Sequence, residues 1–132
     1  MGQPAAKEDD KIVAVDTHIV LVPAPTGAVP TPLPHAFTGT IDGSLSGDVN
    51  IMGKKAATVD STAKNSPAHM PTPPGTSFQT PPANKGTIKT GSTTVKINGK
   101  AAARNGDTAE TCNDPKDLPV GTVMAAGTVL IG

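Results

Sequence analysis

The chain has 132 residues, eleven basic and eleven acidic side chains, and two aromatics, Phe37 and Phe78, with 14 glycines and 14 prolines. A chain of this length builds one small domain, and its Gly and Pro content, far above the about 12 % of average usage, disfavours long helices and a large aromatic core. Balanced charge with only short basic pairs such as Lys54 and Lys55 leaves no patch able to track a phosphate backbone, which excludes nucleic-acid binding.

In chain order, residues 1–11 lack an apolar segment and carry Glu8, Asp9 and Asp10, so they do not read as a secretory signal. They are expected to form a flexible tail ahead of a domain over residues 12–132. Met1-Gly2 does not begin a myristoylation motif, because Ala6 stands where Ser or Thr is required. No run approaches the roughly 20 apolar residues of a membrane-spanning helix. The apolar residues gather instead into short β-branched runs, Ile12 to Val15, Ile19 to Val22, Val95 to Ile97 and Val129 to Ile131, punctuated by Gly, Pro, Asn and Asp. That pattern predicts a small all-β domain of short strands and Pro/Gly-rich loops.

The chain repeats itself. Val49-Asn50-Ile51-Met52-Gly53-Lys54-Lys55-Ala56-Ala57 aligns without a gap on Val95-Lys96-Ile97-Asn98-Gly99-Lys100-Ala101-Ala102-Ala103, and the match continues through Thr62-Ala63 and Thr108-Ala109. Thr128 to Gly132 echoes the strand of the second copy. In each copy alternating apolar residues (Val49 and Ile51, Val95 and Ile97, Val129 and Ile131) predict a strand, and the first two copies follow it with a tight turn at Met52-Gly53 or Asn98-Gly99. The Ala-rich segments after the turns are read as turns that pack small side chains closely. Three related strands imply approximate threefold symmetry.

His18, His35, His69 and Cys112 are the only His and Cys residues. Three imidazoles and one thiolate match one closed tetrahedral zinc site. No close ligand pair of the zinc-finger kind is present, so the fold itself must assemble them. Proline next to His35 and on both sides of His69 predicts stiff loops that lower the entropic cost of a cage. A chain so poor in large apolar residues, with one cysteine and therefore no internal disulfide, gains most from a structural metal.

Gly99-Lys100-Ala101-Ala102-Ala103-Arg104-Asn105-Gly106-Asp107 resembles the Pro-Ala-Ala-Arg signature of the PAAR-repeat family, with Ala101 at the proline position. Gly53 to Thr58 is a degenerate copy without the Pro or the Arg. The resemblance runs from about Asp16 to Gly132 and implies a small cone of strands with threefold pseudosymmetry and a zinc at the apex, held by His18, His35, His69 and Cys112. It further implies a tip that caps a trimeric VgrG-like spike of a contractile injection or type VI secretion system, one monomer on a trimer, with transient membrane contact and effector cargo as a further partner. The strands of Val49, Ile51, Val95, Ile97, Val129 and Ile131 are expected to form the base that meets the spike. The expected life history is synthesis in the cytoplasm and outward delivery at the particle tip, without an attached effector domain.

Two other functions compete. A catalytic zinc needs an open coordination position and a nearby base, for which Glu110 or Asp107 would serve, but four ligands close the site and no HExxH-like arrangement exists. No enzyme activity is expected. A zinc-stabilised adaptor reading proteins through Pro71-Thr72-Pro73-Pro74 is the alternative, though rigidity explains those prolines more simply.

Overall fold

The structure, a computed structural model, describes residues 2–132. Its described residues form thirteen strands and no helix, so no helix is long and apolar enough to cross a membrane. Two long strands dominate, β2 (Lys11–Val22) and β3 (Val29–Gly43), paired antiparallel over the whole of β2. Four shorter strands, β6 (Thr62–Asn65), β8 (Lys85–Ile88), β11 (Thr108–Thr111) and β12 (Leu118–Met124), continue the sheet from β3 until β12 pairs with the start of β2. The result is a closed ring of six strands without free edges at that level.

Ile12 to Val15 and Ile19 to Val22 were expected as separate strands, yet β2 passes through both. Asp16, Thr17 and His18 do not interrupt it, because the alternation persists: Ile12, Asp16, His18 and Val20 are buried, and Lys11, Val15 and Thr17 are exposed. β3 alternates likewise, burying His35, Phe37, Gly39 and Ile41. Its prolines, Pro30, Pro32 and Pro34, share the other face. The Pro34 carbonyl turns away from β2 to accept the Thr72 hydroxyl at 2.8 Å, so the missing proline N–H groups fall on the open edge of β3 and block its pairing.

Below the ring lie three two-stranded ladders. β4 (Asn50–Ile51) pairs with β5 (Lys54–Lys55), and β9 (Lys96–Ile97) with β10 (Lys100–Ala101). The third pairs β13 (Leu130–Ile131) with β1 (Gln3–Pro4), which joins the two ends of the chain. The expected tail is therefore folded: Ala5 and Ala6 are buried, and residues 2–10 supply the half-repeat that the C-terminal strand lacks. Pro4-Ala5-Ala6-Lys7 stands where the other copies have Lys55-Ala56-Ala57-Thr58 and Ala101-Ala102-Ala103-Arg104.

Backbone hydrogen bonds establish that equivalence. Ala6 N–H donates to Ala103 C=O at 2.9 Å, Ala103 N–H to Ala57 C=O at 3.1 Å, and Ala57 N–H to Ala6 C=O at 3.0 Å, a closed cycle of three. Around it, Asp9, Asp60 and Gly106 each take a positive φ and donate to Ile41, Ile88 and Val123 respectively. All three central alanines are wholly buried, so only a methyl group fits where the three copies converge. Ile51, Ile97 and Ile131 close over Ala5, Ala56 and Ala102 as a small second core. In the main core, Ile12 takes the place that Ala63 and Ala109 hold in the other copies, and the single ring of Phe37 takes up the space that Gly39, Gly86 and Ala63 leave.

Symmetry fails at one position. Arg104 bonds to Asp107 at 2.9 Å and to the carbonyls of Gly91 and Gly132, and Lys7 bonds to Asp10 at 3.1 Å and to the Ala126 carbonyl at 2.7 Å. The third copy has Thr58 and Ser61, and a cavity of about 200 Å³ lined by Ser44, Leu45, Thr58, Ile97, Asn98 and Lys100 remains where the cation would lie. Thr58→Arg with Ser61→Asp is expected to fill it and raise stability by about 1 kcal/mol, the worth of a partly exposed charge-assisted contact. Urea unfolding checks this; a lower transition midpoint would show that the slot cannot accept the pair.

Candidate metal centre

The inward faces of β2 and β3 carry the site. From Ile12 to His18 is six residues, about 20 Å at roughly 3.3 Å per residue, so the histidines stand well above the six-stranded level. There the section has narrowed to β2, β3, the short strand β7 (Ser77–Phe78) and two loops. His18 lies on β2 and His35 on β3, so both are fixed by strands, and for His35 the strand replaces the loop expected from Pro34. His69 lies on the loop between Pro67 and Pro71, and Cys112 directly follows β11. The loop after Cys112 is pinned to β2: Thr17 N–H donates to Asn113 Oδ1 at 2.7 Å, Asp114 N–H to Thr17 C=O at 2.9 Å, and Ile19 N–H to Asp114 Oδ2 at 2.9 Å.

All four expected ligands converge. The three imidazole centroids are 4.9 Å (His18 to His69), 5.4 Å (His18 to His35) and 5.6 Å (His35 to His69) apart, and Cys112 Sγ is 3.7 Å from His18 Nε2. Phe78 packs edge-on against His18 at 5.8 Å, and Phe37 lies 6.1 Å from His69 on the core side. The tightest group is a different four: donor atoms of Asp16, His18, His69 and Cys112 all lie within 4.8 Å of one another and could hold a metal ion. His35 stands outside it. Its Nδ1 is 2.9 Å from the Leu33 carbonyl, and its Nε2 accepts the Thr72 N–H at 3.2 Å.

Asp16 is the residue that the sequence reading passed over. Its carboxylate is wholly buried, with Oδ2 2.9 Å from His69 Nε2 and 3.5 Å from Cys112 Sγ, while Oδ1 accepts the Thr111 hydroxyl and, at 3.5 Å, the Asn113 amide. The signal was its place two residues before His18 on an alternating strand, which turns both side chains to one face.

The donor set fits a divalent metal of borderline softness. His18 Nδ1 is buried without a hydrogen bond, and Asp114 Oδ2 approaches it only to 3.5 Å. Burial lowers the pKa of His18, helped by the neighbouring His69, and burial also lowers that of His35 against the opposing Leu33 carbonyl. Both are thus kept in the neutral form that binds metals. Burial, with the Asp16 carboxylate beside it, pushes the Cys112 thiol up to about 11, although backbone groups of Lys85 and Asn84 favour the thiolate. A metal must therefore displace a proton from Cys112. A groove of about 390 Å³ between Pro34, His35, Ser66, Pro67, His69 and Met70 gives an ion access from outside.

In metal-free protein these shifts set a pH window. The unfolded chain takes up protons on histidine near 6.5 that the folded chain refuses, so stability falls as pH drops below 6.5. The unfolded cysteine ionises near 9.0 and the folded one near 11, so stability also falls above 9.0. Melting of chelator-treated protein is expected to peak between those values; a melting temperature flat on the acid side would contradict buried neutral histidines.

Residues 79–132 match the family model of the PAAR motif. That stretch carries a PAAR motif. The matched stretch holds Cys112, the second copy and the C-terminal strand of the third, while His18, His35 and His69 precede it. The hydrogen-bond cycle of Ala6, Ala57 and Ala103 shows that residues before the matched stretch repeat the same unit. No curated protein matches the chain.

Proposed function

We propose that this protein is the structural tip of a phage-tail-like contractile injection system, seated on a trimeric VgrG-like spike and stiffened by one zinc ion. The observation that carries the reading is the threefold base combined with a metal-ligand cluster at the far, narrow end. Val49, Val95 and Val129 occupy equivalent places in the three copies and are 36 %, 37 % and 40 % exposed, so the base offers the same apolar step to each chain of a trimer. Met52 and Leu130 extend it. Ile51, Ile97 and Ile131, at 6–7 % exposure, support this surface from beneath.

His18, His35, His69 and Cys112 would hold the zinc. Three rings aimed at one ion have centroids about 5 Å apart at ordinary Zn–N distances, close to the spacing here. A hydrogen bond from Nδ1 of His35 to Leu33 leaves Nε2 with the lone pair a metal needs, and the Thr72 N–H is its only competitor. When bound, the ion would supply strong cross-links among two strands and two loops where the section is too narrow for an apolar core. The chain's own part is mechanical: β2 and β3 transmit load along their length, and the prolines resist bending.

Catalysis plays no part in this reading. Asp107 is held by Arg104, and four protein ligands leave no open position for water. Mixing purified protein with a trimeric VgrG-like spike protein, followed by size-exclusion chromatography and mass measurement, tests the proposal. One chain per trimer is the expected result; failure to associate would end the spike-tip reading.

A further inference from the structure

Asp16 poses a question of charge. It is wholly buried, and every group that bonds to it (the Thr111 hydroxyl, the Asn113 amide, the Cys112 thiol and the His69 ring) is neutral in a metal-loaded site or gives up its proton there. Among the described residues no lysine or arginine pairs with it. A buried carboxylate without a cation is costly.

The closed site has the opposite deficit. Three neutral imidazoles and one thiolate around a dication leave one positive charge uncompensated in an interior shielded by Phe37 and Phe78. We infer that Asp16 is the outer counter-charge of the metal centre, and that it makes the site selective for a divalent cation over a monovalent soft one such as Cu(I). With a dication, the thiolate and Asp16 bring the cluster to neutrality. With Cu(I), the thiolate alone achieves neutrality, and Asp16 becomes an unpaired buried anion. Softness alone would not give this preference, because thiolate and imidazole also suit Cu(I). In the metal-free chain Asp16 Oδ2 lies against both His69 Nε2 and Cys112 Sγ, which puts the carboxylate beside the donor atoms.

The inference rests on the three-histidine, one-cysteine reading and is tested apart from it. Zinc and Co(II) affinities are measured by competition with a chelating dye, and Cu(I) affinity under anaerobic conditions, for wild type, Asp16→Asn and Thr111→Val. Asp16→Asn keeps the shape and removes the charge. It is expected to weaken zinc and Co(II) ten- to hundredfold, the usual effect of an outer-shell partner, while Cu(I) affinity holds or rises and the Co(II) band positions stay in place. Thr111→Val removes a hydrogen bond but keeps the charge, and should leave the zinc-to-Cu(I) ratio unchanged.

Equal losses for both ions in Asp16→Asn would reduce Asp16 to a packing role, and shifted Co(II) bands would make it a direct ligand; either overturns the inference. A wild type that binds no metal would instead defeat the underlying reading. If Asp16→Asn folds only when loaded, the melting temperatures of its zinc and Cu(I) forms give the same ratio.

Discussion

Stripping the metal with a strong chelator is expected to lower the melting temperature by tens of degrees, and Cys112→Ser and His69→Ala are expected to reproduce that loss without chelator. A structural zinc contributes on the order of 10 kcal/mol of apparent binding free energy, which rivals the whole stability of a typical domain, about 5–15 kcal/mol. Little else holds the narrow end together. Above Phe37 the interior is His18, His35, His69 and Asp16, polar groups that contribute almost no hydrophobic stabilisation, with Cys112 at the edge of the main core and Val20 the one wholly buried aliphatic there among the described residues. Metal content per chain and calorimetry check this, with one comparison separating metal loss from packing loss. Wild type and Cys112→Ser should melt together once both are metal-free, whereas a further deficit in the mutant would mean that the sulfur matters mainly as core filling. A metal-free wild type as stable as the purified protein would remove the structural centre.

Charging the base should have the second large effect. Val95→Asp with Val129→Asp is expected to abolish capture by a trimeric spike while the melting temperature stays near wild type. The exposed valines make the cleaner test, because aspartate at Ile97 or Ile131, 7 % exposed, would bury a charge in the small second core and unfold the base itself. At the valines the carboxylate reaches water in the free protein and loses it only in a complex. Desolvating two charges against an apolar partner exceeds what one corner of an interface supplies. Undiminished capture by a folded double variant would place the contact surface elsewhere.

The repeat at Val49 and Val95 was legible because its copies lie in one continuous register, and turn residues with positive φ, Met52-Gly53 and Asn98-Gly99, mark them. Of the third copy only its strand, Thr128 to Gly132, was legible. Its strand ends the chain and its Pro-Ala-Ala-Lys segment begins it, so no linear comparison joins them; acidic Glu8, Asp9 and Asp10 also resemble a solvated tail. Only pairing of Gln3 with Ile131 shows the unit as whole. The convergence of the metal ligands followed from counting His and Cys, since those residue types have few other reasons to share an interior. Asp16 escaped because aspartate is common on surfaces, and its burial depends on β2 running unbroken through Asp16-Thr17-His18. The proline effect was read with the right consequence at His69, whose loop runs between Pro67 and Pro71, and the wrong one at His35: Pro34 guards a strand edge instead of bracing a loop.

The cycle through Ala6, Ala57 and Ala103 makes the three units interdependent. Each unit donates one hydrogen bond and accepts one, always to a different neighbour, so two units leave a donor and an acceptor open and a single unit satisfies nothing. The stretch 79–132 cut out alone would lose both partners of Ala103. The same arithmetic would be met by three separate short chains closing as a homotrimer. The three units differ where the cycle does not constrain them: one has Thr58 in place of the cation, and another leads into the β2–β3 hairpin that carries two of the histidines.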